Sequence, residues 1–221
     1  MIKRIAFVLM ILTCPLFLFS QSKIGKQEIY SKWISMDKKV KRINGYKQNF
    51  DSIIVGFVDS LKIAGIDTFG IYKKDYVGAI SDDSCDCGIV PWTAYIHWIN
   101  KGLTYSQKIT KCCRYSPKII ISSSLIRYYD NCRIKIDNER ILPVITGASI
   151  NNKGDLLITE MDIDHTTYYS IYCDLNGKNK FVSFQDFEIE SEDNLFHTDN
   201  LNSIINSWKV VIESQINEVY K

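Results

Sequence analysis

The cysteines are the side chains of this chain best suited to chemistry. Two close pairs, Cys85 with Cys87 and Cys112 with Cys113, stand among seven cysteines. Such sulfurs can crosslink a fold, exchange disulfides with a substrate or ligate zinc. The pairs are spaced more closely than the cysteines of a zinc knuckle, and no Cys-x-x-Cys redox motif is present. We therefore predict structural crosslinks, with a thiol–disulfide redox or metal-binding protein built on this cluster as the alternative.

The N-terminus indicates the compartment in which these sulfurs would work. Lys3 and Arg4 precede an apolar run at residues 5–19, and small polar residues follow at 20–22. This is the layout of a secretory signal peptide, and the run is shorter than the ~20 residues that a membrane-spanning helix needs. We predict that residues 1–22 are removed and that the chain is exported to the periplasm, the cell surface or the medium. The mature chain is expected to have no stable membrane span.

Export favours disulfide bonds, because thiols are oxidised outside the cytoplasm. Six cysteines remain after the signal peptide: Cys85, Cys87, Cys112, Cys113, Cys132 and Cys173. Adjacent cysteines are poorly placed to bond each other. We expect Cys85 and Cys87 to bond to Cys112 and Cys113, in either order. Cys132 should bond to Cys173.

A short acidic segment offers a second kind of chemistry. Glu160, Asp162 and Asp164 alternate with Met161 and Ile163, so a strand would place three carboxylates on one face. Carboxylates so arranged can bind a cation or raise one another's pKa for acid–base work, as a hydrolase requires. A solvated face of a half-buried strand gives the same pattern, and we favour that interpretation. The hydrolase remains an alternative.

Motifs for other catalytic centres are missing from the sequence. The three histidines, His97, His165 and His197, do not have the spacing of a metallohydrolase. The serines at 122–124 lack the Gly-x-Ser-x-Gly turn that exposes a nucleophile, and there is no glycine-rich phosphate loop. We assign no catalytic residue, no cofactor and no metal ligand, and we favour a protein that is not an enzyme.

Aromatic residues gather just after the first cysteine pair and suggest a recognition surface. We predict a contact region at Trp92, Tyr95, His97 and Trp98. Tyrosine and tryptophan are favoured in such surfaces because they combine a large, fairly rigid area with a polar group. The same residues are also common in the core of a sheet.

The charge of the chain argues against nucleic acid as a partner. Lys3 and Arg4 account for the whole formal excess of +2, so the chain after residue 22 is neutral. A protein that binds many phosphates needs a basic excess to release counterions. The expected partner is therefore a protein or a small ligand outside the cytoplasm.

The hydrophobic pattern predicts which elements position these residues. Apolar residues recur at helical spacing over 28–43, 50–61 and 201–216, which predicts an N-terminal helical hairpin and a C-terminal amphipathic helix. Strands fill the interval, with a hairpin turn at residues 73–75, another at 100–102 and a tight one at Asn176-Gly177. No helix is expected between the strands. The pattern indicates one α+β domain over residues 23–221, with a mostly antiparallel sheet.

Taken together, the sequence predicts an exported, disulfide-stabilised binding or interaction module. A protein that neutralises a partner protein would fit this description. The prediction depends on the signal peptide and on the absence of catalytic motifs, since no residue names the ligand.

Overall fold

A computed structural model describes residues 24–37, 45–77, 92–163 and 165–221. The first helices are α1 (Lys26–Asp37), α2 (Tyr46–Asn49) and α3 (Ser52–Ile63), and the first strands are β1 (Thr68–Tyr76), β2 (Trp92–Asn100), β3 (Leu103–Thr110) and β4 (Lys118–Ile120). Helix α4 (Ser124–Asn138) and strands β5 (Val144–Ile150), β6 (Leu156–Met161), β7 (Thr167–Leu175) and β8 (Lys178–Gln185) follow. Two short helices, α5 (Asp186–Glu190) and α6 (His197–Leu201), precede the long helix α7 (Ile204–Val219).

Six strands form one antiparallel sheet in the order β4-β3-β2-β1-β7-β8, and β5 pairs with β6 in a separate hairpin. Helix α3 covers one face of the large sheet. Helices α4 and α7 cover the other face. The predicted α+β class with a mostly antiparallel sheet and a C-terminal amphipathic helix is confirmed.

Local turn chemistry sets two of the connections as the sequence predicts. Lys101 and Gly102 have φ angles of 48° and 77° in the turn between β2 and β3. Asn176 and Gly177 have φ angles of 53° and 86° in the tight turn between β7 and β8. Asparagine and glycine tolerate this left-handed region, which the two-residue hairpin turn requires.

The N-terminal helices pack on different parts of the molecule. Ile29 and Trp33 of α1 lie in a small core with Ile145 of β5 and Phe196. Phe57 and Val58 of α3 instead lie in the core on the large sheet. Helix α1 thus covers the β5–β6 hairpin, while α3 covers the sheet.

Two predictions about the interior of the chain are wrong. The hairpin expected at residues 73–75 does not form, because β1 continues through Lys73 and Lys74 and pairs with β2 and β7. Helix α4 lies between strands, where no helix was expected. Ser123 caps it by accepting a hydrogen bond from the backbone N–H of Ile126, at 3.2 Å.

The expected disulfide between Cys132 and Cys173 is also wrong. Cys132 of α4 and Cys173 of β7 are free thiols. Both sulfurs belong to the core between the sheet and helices α4 and α7, where a cysteine acts as a small apolar side chain. Cys85 and Cys87, the expected partners of the Cys112–Cys113 pair, lie outside the described residues.

The two free thiols should differ sharply in reactivity. Burial raises the pKa of Cys173 well above its ordinary value, with Asp174 and Asp130 adding to the shift. Cys132 is only partly buried. Iodoacetamide should therefore modify Cys132 in the folded protein and reach Cys173 only after denaturation, because the thiolate is the reactive form. Peptide mapping by mass spectrometry measures this, and a Cys132–Cys173 crosslink in native protein would show that the two thiols are not free.

Candidate functional site

The four residues of the predicted contact region divide between the two faces of β2. Trp92 and Trp98 lie in the core beneath α3, where Trp98 stacks on Tyr105 at 5.3 Å between ring centroids. Tyr95 and His97 lie on the opposite face, and Tyr95 contacts the ring of Tyr220 at 5.2 Å. Trp92, His97 and Trp98 are buried. They therefore form part of the interior and present no common surface in this structure.

His97 is the centre of a buried polar network. Its Nδ1 lies 2.8 Å from Ser123 Oγ, and its Nε2 lies 3.3 Å from Ser106 Oγ. Ser106 Oγ in turn lies 3.0 Å from the hydroxyl of Tyr220. Only 1% of His97 is exposed, and this burial lowers the pKa of its imidazole to about 4. The ring is thus neutral at physiological pH.

This network lacks the features of a serine nucleophile. Ser123 Oγ already accepts the capping hydrogen bond at the start of α4, and both nitrogens of His97 contact serine hydroxyls. Catalysis also requires that a substrate reach the serine, and this interior position gives it no such access. The network instead joins β2, β3 and the first turn of α4 to the end of the chain.

The acidic segment lies at the exposed end of strand β6 in the β5–β6 hairpin. Strand β6 ends at Met161, and both Glu160 and Asp162 are exposed. Asp162 Oδ1 lies 3.5 Å from the side-chain nitrogen of Gln185. Asp164 lies outside the described residues, and within the described ranges no three His, Cys, Asp or Glu side chains are placed to hold a metal ion. The arrangement favours the solvated acidic face.

A different feature, the β4 edge, presents apolar side chains to solvent. Among the described strands, β4 pairs with β3 alone and stands at one end of the six-stranded sheet. Ile119 is 65% exposed, Leu103 is 47% exposed and Ile121 is fully exposed. The register pairs Tyr105 with Ile119, which places Leu103 and Ile121 together at the end of the ladder. We call these three exposed side chains, with the backbone of β4, the edge surface.

Helix α7 fixes the edge surface from behind. Lys118 Nζ donates a hydrogen bond to the carbonyl of Val219, at 2.7 Å. The side-chain amide of Gln215 donates to the carbonyl of Ser122, and its oxygen accepts from the N–H of Ser124 at 2.7 Å. These bonds hold both ends of the strand against α7. A groove of about 740 Å³ remains between β4 and the helix.

Comparisons with protein-family models, curated proteins and solved structures find no match. The function must therefore be argued from the geometry of this chain. Within the described ranges, no helix has both the length and the apolar character needed to cross a bilayer.

The edge surface has the properties of a template for another strand. A strand at a sheet edge offers backbone N–H and C=O groups that lack a partner on one side. Many natural edges carry outward charges or proline that prevent such pairing. Here Pro117 limits the strand on one side only, and the one charged residue of β4, Lys118, is held by Val219. Within the described part of the chain, no strand pairs with the outer side of β4.

The sequence contains one signal for this surface, a run of isoleucines, but the run alone does not show whether the strand is buried or exposed. Three consecutive isoleucines at 119–121 are typical of a buried strand. Their exposure follows from the order of strands, because β4 has one neighbour among the strands that the structure describes. Strand order depends on contacts between distant residues, which hydrophobic periodicity does not encode.

Proposed function

We propose that this chain is an exported, non-enzymatic binding protein that captures a partner protein by adding an extended segment of it to the β4 edge. The observation that carries the proposal is the exposure of Leu103, Ile119 and Ile121 beside an edge strand with one described neighbour. Strand addition uses such edges, with backbone hydrogen bonds providing affinity and alternate side chains providing specificity.

The rigid mounting of the edge supports the proposal. Helix α7 holds β4 through Gln215 and Lys118, so little conformational freedom is lost when a partner strand pairs with it. Ile119 faces Tyr105, which stacks on buried Trp98, so apolar contact continues from the core to the surface. Exposed apolar patches of this kind are typical of protein interaction sites.

The proposed site of action is outside the cytoplasm, and the support for it comes from the sequence alone. Lys3, Arg4 and the apolar run at 5–19 support export. The alternatives with a chemical mechanism have less support from the described residues. The buried His97 network leaves no free nucleophile, and the carboxylates of Glu160 and Asp162 stay exposed.

Lysine at the edge should abolish partner binding and leave the fold intact. The variant carries Ile119→Lys and Ile121→Lys. Both side chains are exposed, so the changes cost little stability, but they place charges where an incoming strand would pack. Extended peptides selected by display against the full chain provide the ligand. We expect the affinity of these peptides to fall about tenfold or more, which fluorescence anisotropy measures.

A matched variant controls for added charge. It carries Ile134→Lys on α4 and Ile150→Lys on β5, two isoleucines that are also exposed but lie away from β4. We expect it to bind the selected peptides like the original chain. Hydrogen exchange should show that the peptides protect amides at 118–121. Equal binding by both variants, or protection confined to other residues, would refute strand addition at β4.

A further inference from the structure

We propose that a second site, the cleft beside β8, binds a small ligand that joins a cationic amine to an apolar body. The cleft has a volume of about 310 Å³ and lies between α1, β8, the α4–β5 connection and the first turn of α7. Its walls combine polar side chains with apolar ones, which include Trp33, Pro143, Phe184 and Ile205. This size and lining are typical of small-molecule sites.

One carboxyl group distinguishes the cleft. Glu188 lines it and occupies the third position of α5, where its Oε2 accepts a hydrogen bond from the N–H of Gln185 at 2.8 Å. The backbone carbonyl of Glu188 accepts bonds from the side chains of Asn194 and Asn200, at 3.0 Å and 2.8 Å. The residue is therefore held in place from both its backbone and its side chain.

No described lysine or arginine pairs with Glu188, and its ionisation reflects this. Burial raises the pKa of the carboxyl to about 7, although the hydrogen bond from Gln185 opposes the shift and the charge of Asp162 adds to it. Even a half-buried carboxylate without a counter-ion is costly. A ligand ammonium group would supply the missing charge.

The other charged residues of the cleft already have partners. Lys180 Nζ donates to the carbonyl of Asp137 at 2.9 Å, and Arg140 also has a bonded partner. Glu139 Oε2 accepts from the N–H of Ile204 at 2.8 Å. Among the described residues, these three line the cleft with Glu188, and Asp162 is the charge that acts on its carboxyl. Charge complementarity thus favours an amine at Glu188 over a carboxylate at Arg140.

The aromatic wall suits the same ligand. Trp33 and Phe184 offer ring surfaces that attract a nearby cation and pack against an apolar body. A small amine bound between these rings and Glu188 would ionise the carboxyl. Binding at a pH below 7 should therefore release a proton from Glu188 to the solvent, while the carboxylate pairs with the ammonium group.

Titration calorimetry with three matched probes tests the site. The probes are phenethylamine, its neutral analogue 2-phenylethanol and the anion phenylacetate, each added to the full chain at pH 6.5. We expect phenethylamine to bind about tenfold more tightly than the alcohol, as a charge-assisted contact provides, and phenylacetate to bind most weakly. Titrations in phosphate and in MOPS should give different heats for the amine, because protons are released.

Two variants locate the effect. Glu188→Gln keeps the acceptor for the N–H of Gln185 but removes the charge, so it should lose the preference for the amine and the proton release. Glu190→Gln, at an exposed position of the same helix, should behave like the original chain. Equal binding of amine and alcohol, tighter binding of phenylacetate, or an unchanged amine preference in Glu188→Gln would each overturn the proposal. Variants of the β4 edge should leave amine binding unchanged, which separates the two sites.

Discussion

Replacing Gly70 with alanine should destabilise the fold by about 1–3 kcal/mol, as overpacking of a tight core does. Gly70 lies in the middle of β1, between His97 of β2 and Cys173 of β7. A Cβ atom at this position would overlap the side chain of Leu125 in α4. Leu125 is completely buried, so its side chain can move away only by displacing its neighbours in the core. Urea denaturation followed by circular dichroism measures the loss.

A double-mutant cycle isolates this contact. Leu125→Ala alone should cost about 2–5 kcal/mol, since it leaves a cavity under α4. Combined with Gly70→Ala, it should cost less than the two single changes together, because the new methyl group occupies the space that the leucine vacates. Gly147→Ala in β5 is the control, because no heavy atom lies within 4 Å of its Cβ position. Strict additivity of Gly70→Ala and Leu125→Ala would contradict the close approach.

The elements that sequence predicts well are those set by neighbouring residues. The turn at Asn176-Gly177 follows from two residues that tolerate positive φ. Helix α7 follows from apolar residues at helical spacing, and Trp208 and Ile212 are indeed completely buried along it. In both cases the physical cause lies within a few positions of the effect.

Residues 73–75 form part of β1, and not the expected turn, because of contacts with residues far away in the sequence. Lys73, Lys74 and Asp75 suggested a turn because charges are unfavourable inside a sheet. In the structure, acidic residues distant in sequence neutralise the two lysine charges. Lys73 Nζ lies 2.8 Å from Asp51, and Lys74 Nζ lies 2.5 Å from Glu213. A buried charge is tolerated when it is paired, and the pairing is visible only once the chain has folded.

The candidate sites depended even more on tertiary structure. Trp92 and Trp98 carry the composition of a recognition surface, but α3 covers them. Ile119 carries the composition of a core strand, but the strand order leaves it exposed. Glu188 has no local signal at all, because its altered pKa arises from burial among residues of other elements. Sequence supplied the class of fold, and packing decided which residues face a ligand.

Ionisation of Glu188 should make the stability of the fold depend on pH in a defined direction. The pKa of its carboxyl is about 7 in the folded chain, because burial outweighs the hydrogen bond from Gln185. The unfolded value is about 4.3. The folded state therefore binds the proton more tightly. The stability that this adds is complete below pH 4, and it is lost as the pH rises towards 7. The full loss should amount to about 4 kcal/mol.

His97 acts in the opposite direction over nearly the same range and would conceal this trend in the original chain. Burial lowers the pKa of its imidazole to about 4, whereas the unfolded value is about 6.5. The unfolded state binds that proton more tightly, so this contribution to stability grows as the pH rises from 4 to 6.5. The two effects are similar in size and partly cancel. A flat profile of stability against pH is therefore expected for the unmodified chain.

Comparison with Glu188→Gln removes the contribution of His97, which is common to both proteins. Free energies of unfolding in urea at pH 5, 6, 7 and 8 give the difference between the variant and the original chain. We expect the stability of the variant, relative to that of the original chain, to rise by about 3 kcal/mol from pH 5 to pH 8. The reason is that glutamine does not ionise and so avoids the buried charge. Glu190→Gln should show no such change. A difference that stays constant across this range would mean that the Glu188 carboxyl ionises as it does in water, and its charge would then be solvated rather than left for a ligand amine to neutralise.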